Sequence, residues 1–266
     1  MKRSIQITTI LTGLVFFVAC STVPLTGRKQ LNIVPESQMI SMSFASYSEF
    51  LKENKVSNDQ SATAMVNSVG KDIAAAVTRY FTENNMSDRL AGYNWEFNLV
   101  EDKTPNAWCM PGGKVVVYTG LLPYTQDKNG LAVVLSHEIA HAVARHGNER
   151  MSQQIITQFG NVALNELIKD KPDQTKSIFN TAYGVGSQVG VMLPFSREHE
   201  LEADKLGLIF MAMAGYDPQT AIPFWERMSA SGGQKPPEFL STHPADETRI
   251  KKIKAAMPEV MKYYKK

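Results

Sequence analysis

Cysteine is nearly missing from this chain. Cys20 and Cys109 are its only two, too few for a disulfide framework. Long apolar runs are missing as well: a spanning helix needs about 20 predominantly apolar residues, and the stretches 155–168 and 178–195 are both interrupted by polar side chains. There is no internal repeat, which excludes solenoids and arrays. Neither sign of charge dominates, because the formal net charge is +2. Once Lys2 and Arg3 are set aside with a leader, 26 basic side chains face 26 acidic ones. That balance gives no basis for a nucleic-acid partner or for attraction to acidic lipid. Hydrophobic content of 43% and charged content of 20% are ordinary, so disordered and collagen-like classes are excluded. A chain of 266 residues has room for one good-sized core or two small ones.

The first positive feature lies at the N-terminus. Met1-Lys2-Arg3 is a basic start, Ile10 to Val18 an apolar segment, and Ala19-Cys20 follows. The segment is too short to span and reads as a secretory signal over residues 1–19. The small residue before Cys20 resembles a bacterial lipobox, with Phe17 where leucine is commoner. The expectation is therefore a lipidated Cys20, with an ordinary cleaved signal as the rival. Ser21 then fits sorting to the outer membrane, giving a periplasm-facing location in a bacterial cell envelope with attachment through a lipid anchor only. Cys109 is left as a small buried hydrophobe. Residues 20–35, with Pro24 and Pro35, read as an extended tether, and 36–266 as one domain.

Within that domain, residues 36–53 and 58–81 have helical apolar spacing, the second with a stripe of Met65, Val69, Ile73, Val77 and Tyr80. Trp95 to Val100 alternates and reads as a strand. Lys114 to Thr119 reads as a second strand, opened by Pro111-Gly112-Gly113 and closed by Gly120. Helices follow at 129–146, capped by Asp127 or Asn129 and stopped by Gly147, then at 149–169, 174–192 and 197–214. Asp217-Pro218 suits a helix start, and Pro244 opens a terminal helix. The expected class is α+β: mostly helical with a small sheet.

His137-Glu138-Ile-Ala-His141 lies in the most apolar of these helices. Residues four apart share a helix face, so both imidazoles can aim at one point, at the roughly 2.0–2.1 Å that zinc requires. Glu138, about 100° round the helix, can reach an outer water without ligating the metal. Zinc lowers the pKa of such a water to about 7, and Glu138 can accept its proton. The spacing is that of a metal-bound nucleophile.

A catalytic zinc takes three protein ligands and keeps a fourth position open. His146 is off the face of His137 and His141 and is expected to face solvent at the helix end, where a cation suits the dipole. Glu200, Asp204 and Gly207 share one face of the 197–214 helix, with Ala203 beside them. Glu200 is the expected third ligand, with His199 as rival, and Asp204 can accept the remaining N–H of a ligand histidine. Glu198, Glu202 and Lys205 suit a solvated face.

His137-Glu138-x-x-His141 with Glu200-x-x-Ala203-Asp204 resembles metallopeptidase family forty-eight, a group that includes heat-shock membrane proteases, the CAAX prenyl endopeptidase, mitochondrial Oma proteases and periplasmic lipoproteins. Thr26-Gly27-Arg28, Pro111-Gly112-Gly113 with Gly120-Leu121-Leu122, and Thr242-His243-Pro244 are similar to the soluble periplasmic lipoprotein members. The resemblance implies a zincin-like (gluzincin) domain over 36–266 with one Zn2+ per chain on His137, His141 and Glu200. It also implies Glu138 as general base and Asp204 as an orienting or proton-handling residue. It places His243 near the metal, either stabilising an oxyanion or filling the open position and holding the enzyme off. Arg249 is the other candidate for oxyanion stabilisation.

The expected function is a zinc metalloendopeptidase acting on unfolded or misassembled envelope proteins. The Lys114–Thr119 strand is expected to be an exposed edge on which a peptide adds as a strand, through Gly113, Val115 and Val117. The segment 184–195 is a candidate lid. A non-catalytic zinc-binding envelope chaperone or interaction module is the rival, and it has no use for Glu138.

Overall fold

The computed structural model describes residues 20–159, 169, 172–183, 196–230, 239–240, 243 and 247–265. The expected leader at 1–19 and lid at 184–195 lie outside the described residues.

Strands β1 (Cys20–Thr22) and β2 (Lys29–Leu31) pair antiparallel. The expected tether is thus a hairpin docked on the core, with Val23 and Val34 buried. Its turn closes through Val23 N–H to Arg28 C=O and Gly27 N–H to Val23 C=O. Helices α1 (Glu36–Glu53) and α2 (Gln60–Glu83) follow. The Asp59 side chain accepts from Ala62 N–H, satisfying one of the unpaired amides at the start of α2. Val66, Val69, Ile73, Val77 and Phe81 of α2 are fully buried. Each such side chain contributes about 1.5–3 kcal/mol of burial free energy.

The sheet has three strands, β3 (Glu96–Val100), β4 (Ala107–Met110) and β5 (Lys114–Tyr118), in the order β3-β5-β4. β3 runs parallel to β5, and β4 antiparallel to it. β5 is therefore the central strand. Both of its hydrogen-bonding edges are occupied, and Val115 and Val117 are wholly buried. Gly113, at φ +82°, sits in the β4–β5 turn, where an added Cβ would strike the Trp95 ring. The expected edge role of Gly113, Val115 and Val117 is overturned. The cause is β4, whose four residues are too short and too uniformly buried to show alternation.

Helix α3 (Lys128–Val143) is capped by the Asp127 side chain accepting from Gly130 N–H. All residues from Gly130 to Val143 are buried, as befits a helix at the centre of a core. It ends earlier than the sequence pattern suggests. Arg145 adopts φ +63°, its guanidinium 3.1 Å from Glu36, and a separate helix, α4 (His146–Phe159), begins after it. Helices α5 (Pro172–Tyr183), α6 (Arg197–Met213), α7 (Ala221–Ala230) and α8 (Glu247–Val260) complete the described chain. The Ser196 side chain caps α6 by accepting from His199 N–H. A Cβ at Gly207 would lie 3.0 Å from the backbone of Ser136 and His137. That missing side chain lets α6 lie against α3. Among the described residues, no helix is long and apolar enough to cross a membrane.

Candidate metal centre

The α3–α6 contact brings the two halves of the motif together. His137 Nε2 and His141 Nε2 are 3.0 Å apart. Glu200 of α6 stands across from them, its oxygens 3.4 Å from His137 Nε2 and 3.3 Å from His141 Nε2. His243 supplies a fourth donor, Nδ1, 3.1 Å from His137 Nε2 and 3.0 Å from Glu200 Oε1. All four residues are buried. Tetrahedral bonds of about 2.0–2.1 Å set neighbouring donors roughly 3.3 Å apart. The observed spacings match that requirement, and the two-nitrogen, one-carboxylate set with an extra imidazole suits zinc.

The surroundings set the charge states of Glu200 and His141, whereas at His137 burial is outweighed by Asp204 and Glu200, which raise the imidazole. Burial pushes the Glu200 carboxyl up, but His243, Arg249 and the two helix histidines outweigh it and hold Glu200 well below the usual carboxylate range. Asp204 Oδ1 is 3.0 Å from His137 Nδ1, close enough to fix that ring's tautomer with Nε2 turned to the cluster. Burial drives the His141 imidazole well below its ordinary value, keeping it neutral. Glu138 lies beside the cluster. Its Oε1 accepts no hydrogen bond and sits 3.4 Å from His243 Nε2. Burial, with the Glu200 charge and against His243 and Arg249, raises the Glu138 carboxyl to about 7, in the range where a side chain can both take and return a proton.

Arg249 is buried under the site. Its Nε and Nη2 donate to the two oxygens of Asp204 at 2.7 Å each, and Nη1 is 2.8 Å from Glu200 Oε2. The guanidinium carbon stacks 3.6 Å from the centroid of the Trp225 ring. With its fork committed to two carboxylates, Arg249 is a clamp on the ligand set. The expected oxyanion role does not suit it.

Three other expectations change. His146 does not face solvent; it is fully buried, because the left-handed Arg145 turns α4 inward. Glu202 does not lie on a solvated face: it accepts from Thr26 Oγ1 and Arg28 Nε. His199, the rival ligand, pairs instead with Glu149 at 3.0 Å and stacks on His146. Arg28 also forks onto Glu149 at 2.9 and 2.7 Å. Burial raises the Glu149 carboxyl, but His199 and Arg28 outweigh it and bring it down to about 2. Sequence reasoning missed this polar cluster. Its one visible signal was the third histidine of 137–146, together with an acid two residues past Glu200. Cys109 is free and buried, as expected of a small hydrophobe.

A family profile described as Peptidase family M48 matches residues 61–257. A Schizosaccharomyces pombe protein named mitochondrial metalloendopeptidase OMA1 is 36% identical over 253 residues, covering 93% of this chain and 69% of that protein. The human metalloendopeptidase OMA1, mitochondrial, is 28% identical over 257 residues, covering 93% of this chain and 48% of that one. The Escherichia coli beta-barrel assembly-enhancing protease is 29% identical over 199 residues, covering 73% of this chain and 38% of its own length. The chain thus spans about two thirds of the first of these and less than half of the other two. The expected bacterial cell-envelope location is overturned: relatives at 28–36% identity from fungi, plants and animals are named as mitochondrial.

Proposed function

Because the chain belongs to peptidase family M48, and with it to the metalloendopeptidases, we propose that His137, His141 and Glu200 hold one zinc ion and that Glu138 is the general base for peptide-bond hydrolysis. The observation that carries this reading is one buried point where donor atoms of His137, His141, Glu200 and His243 all lie within 4.8 Å of one another, with a Glu138 oxygen that accepts no hydrogen bond beside them. A binding module would gain nothing from that last oxygen.

When bound, zinc supplies Lewis-acid polarisation of the scissile carbonyl and lowers the pKa of an attacking water to about 7. The chain's own residues do the rest. Glu138 Oε1 takes the proton of the attacking water and returns it to the leaving amine. Asp204 holds the ring of His137, and Arg249 holds both Asp204 and Glu200, so the donor set needs no rearrangement during the reaction.

The sheet supports one route for substrate entry. Tyr118 N–H bonds to Asn106 C=O, so Asn106, Trp108 and Met110 face β5, while Ala107 and Cys109 turn their backbone groups to the outer edge, where the Ala107 N–H donates to Asn106 Oδ1. That edge belongs to β4, beside α3. An extended polypeptide adding there would place its backbone along the metal helix. Pairing through main chain reads little side-chain identity, so the proposed substrates are extended or unfolded polypeptide segments. With the envelope location overturned, no envelope-specific substrate is proposed.

The test is metal removal. Cleavage of unfolded casein is expected to stop with 1,10-phenanthroline and to return with added zinc; cleavage that persists after chelation would refute the proposal.

His243 fills the corner where a substrate or water must come. Its ring stacks on Phe239 at 4.7 Å, and Phe239 N–H bonds to Pro105 C=O at the start of the β4 edge. We read it as closing the site in the resting chain, in preference to an oxyanion role. His243→Ala is expected to retain zinc on three ligands and to cleave casein several-fold faster than wild type. A variant that lost activity along with its metal would restore His243 to a required role.

A further inference from the structure

We propose that His146 and Glu202, clamped by Thr26 and Arg28 of the N-terminal hairpin, form a positioning relay for the metal ligand His141. The inference rests on the zinc reading above and extends the site to residues from a segment outside the matched family region, which begins at residue 61.

The argument starts from proton accounting. His141 Nε2 faces the donor cluster, so as a zinc ligand it must offer a lone pair there and carry its proton on Nδ1. His141 Nδ1 is 2.9 Å from His146 Nδ1. For that contact to be a hydrogen bond, His146 Nδ1 must accept, which puts the His146 proton on Nε2. His146 Nε2 in turn lies 3.2 Å from Glu202 Oε2, an acceptor in the required place. Glu202 Oε1 accepts from Thr26 Oγ1, and Oε2 accepts from Arg28 Nε at 2.7 Å. One neutral tautomer of His146 satisfies every link from the hairpin to the ligand ring.

The relay is also held sideways. The His146 ring stacks on His199 with centroids 4.5 Å apart and planes 14° from parallel. His199 is tied to Glu149, and Glu149 to the other end of the Arg28 fork. Arg28 thus spans two carboxylates that each hold one of two stacked imidazoles. The two zinc-facing histidines are backed differently. His137 has Asp204 directly, from the packed interior of α6, whereas His141 depends on a carboxylate that a hairpin residue keeps in place.

Zinc dissociation constants, measured on folded protein by competition with a chromophoric chelator, test this. Tm of the chelated protein reports stability separately. His146→Phe conserves ring volume and abolishes the acceptor; it is expected to weaken zinc binding by about 10- to 100-fold. His146→Asn packs worse but keeps an acceptor at the Nδ1 position, and is expected to bind zinc more tightly than His146→Phe. A merely structural histidine predicts the opposite order. Thr26→Val, on the half-exposed turn, should weaken zinc binding in the same direction by less. Gln30→Ala, which removes a different hairpin anchor, the bond to Ala144 C=O, should lower Tm and leave affinity unchanged. Wild-type affinity in His146→Phe, or equal affinity of the Phe and Asn variants, overturns the relay. Should both position-146 variants fail to fold, wild-type affinity in Thr26→Val overturns it. A wild-type chain that binds no zinc overturns the metal reading itself, and the relay with it.

Discussion

Glu138→Gln is expected to keep its zinc and to lose casein cleavage by about 10²- to 10⁴-fold, the range by which a positioned general base contributes. The substitution is close to isosteric, and Glu138 is not among the four residues whose donor atoms converge. Metal content and Tm should therefore match wild type. What changes is the oxygen that accepts no hydrogen bond and whose carboxyl sits at about 7 because of burial: an amide there cannot take a proton from water. Parallel assays of zinc content and turnover separate this from a binding role. A Glu138→Gln protein that cleaves casein at the wild-type rate would remove Glu138 from the mechanism, and one that also loses zinc would make it a ligand.

Arg249→Met is expected to have the largest effect on stability, a loss of about 3–5 kcal/mol, as for removing one partner of a buried charge cluster. Arg249 is the cation between Asp204 and Glu200, bonded to one at 2.7 Å and 2.8 Å from the other, with all three side chains buried. Burial by itself lowers the Arg249 guanidinium, but Asp204 and Glu200 outweigh it and hold it above its ordinary value, so it stays charged. Without it, two carboxylates are left facing each other out of water. Bound zinc offsets part of the Glu200 charge. The destabilisation, read as a lower urea midpoint at unchanged slope, should therefore be larger in chelated protein than in zinc-loaded protein. Arg249→Lys keeps the charge but not the planar fork and should fall between. Equal stability of Arg249→Met and wild type under chelation would contradict the clamp.

How much of this was legible in the sequence depended on periodicity. The histidine helix, the Glu200–Asp204–Gly207 face and the strand at Glu96–Val100 announce themselves through spacing, because a face of fixed period leaves a trace in one dimension. β4 left none. Ala107 to Met110 is four buried residues with no alternation, and without it β5 passes for an edge. The polar cluster of Arg28, Glu149, His199, Glu202 and His146 was invisible for a different reason. Each residue read singly looks like a surface charge or a helix-end histidine. Only the left-handed Arg145, beyond an α3 that already stops at Val143, turns His146 into the interior. The hairpin at Cys20–Leu31 passed for a tether because its two strands are three residues each, below the length at which alternation can be read. The expected envelope location drew on the short pattern at residues 1–20 and on a likeness to periplasmic lipoproteins, and relatives named as mitochondrial overturn it.

Zinc K-edge X-ray absorption on the purified chain examines the centre most directly. The expected spectrum has one zinc per chain in a shell of nitrogen and oxygen at about 2.0–2.1 Å, lost on Glu200→Ala and lacking any sulfur contribution. A chain free of divalent metal, or a sulfur shell at about 2.3 Å drawn from Cys109, would contradict the arrangement of His137, His141 and Glu200 on which the mechanism stands.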